Sequence, residues 1–143
     1  GHLEVLQWLR ENGCEWNHET SYNAAQGGHL EVVQWLAEKG CPWNEGESYF
    51  SSIGGTCSAA ARGGHLEVLQ WLRENECPWD GNVWARAARG GHLEVLKWAK
   101  ENECPIDDSD VQRTVRVPRY KVCAMAALGG HLEVLKWLRQ DHW

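Results

Sequence analysis

The chain has 143 residues, 43% of them hydrophobic and 24% charged, with a formal net charge of −6. That is enough apolar material for a buried core, so a disordered chain is excluded. The acidic balance gives no general attraction to nucleic acid or to anionic membranes. No apolar run approaches the ~20 residues of a membrane span.

One phrase organises everything else. Gly1-His-Leu-Glu-Val-Leu-Gln-Trp-Leu9 returns at residues 28, 64, 91 and 130. The spacings are 27, 36, 27 and 39 residues, a basic unit of 27 with 9 extra residues in the second unit and 12 in the fourth. Self-similarity at such a period predicts a stacked repeat array, in which each unit buries its apolar face on its neighbours.

In chain order, the first long helix is expected from His2, and each later copy begins at its own histidine: His29, His65, His92 and His131. In the third copy Leu66, Val68, Leu69, Trp71 and Leu72 share one wide face, and the polar residues fall elsewhere. Glu67 sits in the first turn, where it complements the positive end of the helix dipole. Between the long helices lie short Ala-rich helices, expected at Tyr22–Gln26, Ser58–Arg62, Trp84–Arg89 and Cys123–Leu128. Each runs into a Gly-Gly pair that ends it and turns the chain tightly into the next long helix, so the two lie antiparallel. Both ends of the chain read as unpaired long helices with no capping unit, so further repeats are expected beyond each end.

The histidines are spaced like a ladder and do not converge, whereas a zinc site needs about four ligands converging at 2.0–2.3 Å. They read as structural; no metal and no cofactor is expected. Cys14, Cys41, Cys77 and Cys104 hold one register, and Cys57 and Cys123 another. Equivalent positions in stacked helices are about 8–10 Å apart, beyond the ~7 Å reach of a disulfide. Buried, reduced thiols in a reducing, intracellular compartment are expected; the spacing leaves pairing between the two registers open. Trp8, Trp35, Trp71, Trp98 and Trp137 share one register. Trp16, Trp43 and Trp79 share a second, in which Ile106 takes the fourth place. Both read as packing between units. Trp84 falls in neither. There is no nucleophile elbow and no phosphate-cradling glycine loop, so no enzymatic activity is expected.

Ala87-Ala-Arg-Gly-Gly-His-Leu-Glu-Val-Leu96 resembles the Ala-Ala-x-x-Gly-His-x-x-Val-Val core of ankyrin repeats, and the resemblance recurs in register along nearly the whole chain. Two features depart from that pattern. The units are 27 residues rather than the usual 33. The usual Thr-Pro-Leu-His opening is replaced by Cys-Pro-Trp-Asn/Asp at Cys41–Asn44 and Cys77–Asp80. The chain looks like a short, Trp-rich ankyrin variant. The resemblance implies an all-α, ankyrin-like solenoid of antiparallel helix pairs, without most β-hairpin fingers and with two long inter-repeat loops. It also implies that the short helices line a concave binding face.

Candidate partner-binding residues follow from the two insertions and from that face. Tyr49, Phe50 and Ile53 bring apolar side chains into a Ser/Gly-rich loop, either folding back over the array or engaging a partner. The second insertion opens acidic at Asp107, Asp108 and Asp110, then turns basic through Arg113, Arg116, Arg119 and Lys121, beside Tyr120. The basic stretch either neutralises nearby acids, recruits an acidic protein, or contacts nucleic acid. Arg62, Arg86 and Arg89 add a basic set on the short helices. The expected function is a non-catalytic protein-interaction scaffold. The alternatives are a structural subunit docked in a larger assembly and, more remotely, nucleic-acid binding through residues 111–121.

Overall fold

A computed structural model describes residues 2–43, 55–106 and 118–140. They form an all-α chain: α1 (Leu3–Glu11), α2 (His18–Gln26), α3 (Leu30–Glu38), α4 (Thr56–Gly63), α5 (Leu66–Glu74), α6 (Asn82–Gly90), α7 (Leu93–Glu101), α8 (Arg119–Gly129) and α9 (Leu132–Gln140). No sheet occurs among the described residues, and none of their helices is long and apolar enough to cross a membrane.

The short helices begin earlier than their alanines suggest, because polar side chains start them. Asn17 Oδ1 accepts from the Glu19 amide at 3.0 Å, and the Thr20 hydroxyl accepts from the Asn17 amide at 3.5 Å. This reciprocal capping box carries α2 back to His18. At α6 the Asp80 carboxylate does similar work, accepting from the Asn82 amide at 2.9 Å. The Thr56 hydroxyl anchors the start of α4 by donating to the Trp43 carbonyl at 2.7 Å. The long helices begin one residue later than the histidines. Those histidines stand at the N-cap position, and their side chains make no cap hydrogen bond.

The helices pack as consecutive pairs. α2 packs on α3, α4 on α5, α6 on α7 and α8 on α9. Within a pair only two or three residues intervene, such as Gly64-His65 between α4 and α5. The last long helix, α9, is paired with α8, contrary to the expectation that it is unpaired. The packing unit runs from an Ala-rich helix through Gly-Gly into the long helix, so units counted from the histidine phrase cut each pair in half.

Pairs are joined chiefly through the Ala-rich helices: α2 packs on α4, α4 on α6 and α6 on α8, while the long helices touch one another little. We call the two layers inner and outer. The cause is side-chain size. Ala25, Ala60, Ala61, Ala87, Ala88 and Ala126 are fully buried, and a methyl at the contact lets two helix axes come to the short end of the usual 8–10 Å. Outer helices add the larger apolar groups, with Val33 and Leu36, Leu69 and Leu72, and Val95 and Leu96 filling the space beneath them.

Candidate binding surface

Many of the recurrent histidines, glycines, tryptophans and cysteines lie at contacts between helices. His92 Nε2 lies 3.0 Å from the Arg62 carbonyl, and His131 Nε2 lies 3.0 Å from the Arg89 carbonyl. Each imidazole N–H thus donates to the end of the preceding pair's inner helix. The ring also fills the space above two glycines. A Cβ on Gly64 would lie 2.3 Å from His92 Nδ1, and one on Gly90 would lie 2.4 Å from His92 Nε2. Gly64 and Gly91 also adopt φ +75, the left-handed conformation that ends α4 and α6. Gly-Gly-His is therefore one device: a helix stop, a tight turn and a donor to the neighbouring pair.

The outer edge is bound by aromatic pairs. Trp16 meets Trp35 edge-on at 5.3 Å between ring centroids, Trp43 meets Trp71 at 6.2 Å, and Trp79 meets Trp98 at 5.5 Å. Each pair joins the loop after one outer helix to the next outer helix, as the two tryptophan registers predict. Ile106 is half-buried against the same core. Trp8 is 60% exposed. Arg10 and Arg73 lie over Trp16 and Trp79, with centroid distances of 4.2 and 4.5 Å. Trp84, outside both registers, is the largest fully buried side chain; its indole N–H donates to the Cys104 carbonyl at 3.2 Å.

All six cysteines are free thiols. Cys41, Cys57, Cys77 and Cys104 are buried, but Cys14 is exposed and Cys123 half-buried, which corrects the expectation of uniform burial. The reason is local: Cys41 is covered by its pair's inner helix, where Ser21 Oγ donates to its sulfur at 3.2 Å. Cys14 follows α1 and is not covered by an inner helix among the described residues. Burial pushes the Cys41 and Cys104 thiols up in pKa. The Cys57 thiol is also raised, by its hydrogen bond with Cys77 and by burial. Burial raises Asp80 as well, against the hydrogen bonds it accepts from Asn82.

Once those groups are assigned to stacking, the sequence-predicted partner residues separate. Tyr49, Phe50, Ile53, Arg113 and Arg116 lie outside the described residues. Arg62 and Arg89 stand in the same register on the adjacent inner helices α4 and α6, and both are exposed. Arg86 is one turn back on α6, three residues from Arg89 and so on the same face, and it is half-buried. Arg119, Tyr120 and Lys121 form the exposed first turn of α8, with Tyr120 77% exposed. The structure therefore brings Arg62, Arg86 and Arg89 together and places the α8 set on the next inner helix. The sequence reading missed Leu128, which takes the register of Arg62 and Arg89 on α8 and is exposed; its offset from the Gly-Gly pair was the available signal. A separate groove of about 510 Å³ opens between α1 and α2, lined by His2, Val5, Leu6, Asn17, Thr20 and Val32. Among the described residues, no three His, Cys, Asp or Glu side chains are grouped to hold a metal ion.

No protein-family model matches this chain, and no curated protein matches it.

Proposed function

We propose that this chain is a non-catalytic protein-interaction scaffold, an ankyrin-like solenoid that recognises its partner through the inner-helix face. The observation that carries the reading is the direct packing of α2, α4, α6 and α8 on one another. It makes one uninterrupted surface from four short helices. On that surface the exposed residues Arg62, Arg89 and Lys121 can differ without disturbing the buried core. Recognition in repeat arrays is built in this way, with a shared buried grammar and individual surface positions.

The test is affinity capture from cells with three baits: the intact chain, a chain lacking residues 111–121, and Arg62→Ala/Arg89→Ala. The reading expects discrete protein partners on the intact bait and their depletion on at least one of the others. The same partners on all three baits would remove the inner face from the argument.

A further inference from the structure

Charge is spread unevenly over the helices: α2 carries Glu19 and no Lys or Arg, the outer helices mix acids with bases such as Arg10, Arg73, Lys100 and Arg139, and the other three inner helices are purely basic. The inner helices α4, α6 and α8 contain Arg62, Arg86, Arg89, Arg119 and Lys121 and no acidic residue. Every outer helix, by contrast, has a glutamate in its first turn: Glu4, Glu31, Glu67, Glu94 and Glu133. Some outer-layer charge is neutralised locally. Lys97 pairs with Glu94 at 3.0 Å, and Lys136 with Glu133 at 2.8 Å. Arg62, Arg89 and Lys121 are exposed and make no ion pair among the described residues. A chain of net charge −6 thus keeps one face positive.

We propose that this face binds an acidic polypeptide segment, its carboxylates taken by Arg62, Arg89 and Lys121; the inference rests on the scaffold reading above and names the partner's chemistry. Geometry suits an extended chain. Neighbouring inner helices are about 8 Å apart, so α4 to α8 is about 16 Å across, and Lys121 lies about 10 Å further back along the α8 axis; the resulting span of about 19 Å is covered by about six extended residues. Arginine forks match carboxylates two hydrogen bonds at a time, which gives register as well as attraction. Leu128 and Tyr120 border the cations on α8 and offer apolar contact to side chains between the acids. Nucleic acid fits less well: the positive strip is three helices wide, it is bordered by the glutamates of the outer layer, and α4 and α6 expose no aromatic ring for base stacking.

The experiment uses the whole chain and a fluorescein-labelled peptide of alternating Glu and Ser, followed by fluorescence anisotropy. The same peptide with Gln for Glu and an oligothymidylate of equal charge are measured alongside. Binding of the Glu peptide is expected to weaken with added salt and to fall about tenfold in Arg62→Glu/Arg89→Glu. Arg139→Glu, an exposed arginine on the outer helix α9, is expected to bind as the parent does. Far-UV circular dichroism checks that each variant is folded. Three results overturn the proposal: no binding of the Glu peptide, an equal loss in Arg139→Glu, or tighter binding of the oligonucleotide. Equal binding of the Glu and Gln peptides overturns the acidic preference and leaves the scaffold reading standing. Failure of the intact chain to capture any protein removes the scaffold reading instead.

Discussion

The coupling between His92 and Gly64 offers the sharpest test of how the pairs are joined. Replacing His92 with alanine removes the donor to the Arg62 carbonyl and the ring that covers Gly64 and Gly90. A hydrogen bond to a backbone carbonyl contributes about 1 kcal/mol net, and loss of the half-buried ring contact contributes about 1 kcal/mol more. His92→Ala is therefore expected to destabilise by about 2 kcal/mol. Gly64→Ala fails for two reasons: a φ of +75 costs an L-residue about 1 kcal/mol, and its Cβ would sit 2.3 Å from His92 Nδ1. Overpacking of that kind costs about 1–3 kcal/mol. In the double variant the ring is gone, so the clash vanishes and the backbone cost remains. The pair should then be less damaging than the singles added together, by about 1–3 kcal/mol. Urea unfolding followed by tryptophan fluorescence and by far-UV circular dichroism measures this, with the slope checked for constancy. His2→Ala is the internal control, because His2 is exposed and makes no hydrogen bond from its side chain to another described group. Additive singles, or a His2→Ala loss equal to that of His92→Ala, would refute the inter-pair role of the histidine.

Three further outcomes are expected. Glu76 and Glu103 adopt φ of 59 and 54 at the ends of α5 and α7, where Gly13 and Gly40 stand after α1 and α3; Glu76→Gly and Glu103→Gly should each raise stability by about 0.5–1 kcal/mol in urea melts, and unchanged midpoints would count against left-handed strain there. Burial raises the Asp80 pKa above its ordinary 3.8, so ionisation of Asp80 opposes folding; the folded state keeps its advantage at this group below pH 3.8 and loses it as pH rises through the folded value. Asp80→Asn keeps the cap acceptor that Asn17 supplies to α2, so it should melt higher than the parent at neutral pH and equally at pH 3, and a difference that persists at low pH would contradict this. Iodoacetamide on the folded protein should alkylate Cys14 first and spare Cys57, Cys77 and Cys104 until denaturant is added, which peptide mass mapping would show; early labelling of Cys104 would mean that its burial is not maintained.

Much of this protein is written in local sequence. The spacing of apolar residues after each histidine specifies an outer helix, the alanine pairs specify an inner one, and Gly-Gly specifies the stop between them, because helix period and left-handed glycine geometry need only nearby residues. The two tryptophan registers and the Ile106 substitution were legible for the same reason, since a repeat places equivalent residues at equivalent contacts. Other features were decided only by packing. The histidine reads as the first residue of a helix, but its ring reaches back to a carbonyl about thirty residues away, as His92 does to Arg62. Trp84 lies outside both registers, and only the folded chain shows that it is buried whole, with its indole N–H on the Cys104 carbonyl. Cys14 matches its register and is exposed all the same, because burial depends on whether an inner helix stands beside it. The basic residues were visible one by one in the sequence. The placing of Arg62 and Arg89 side by side, with α8 and its Lys121 next to them, arises because buried alanines press α4, α6 and α8 together.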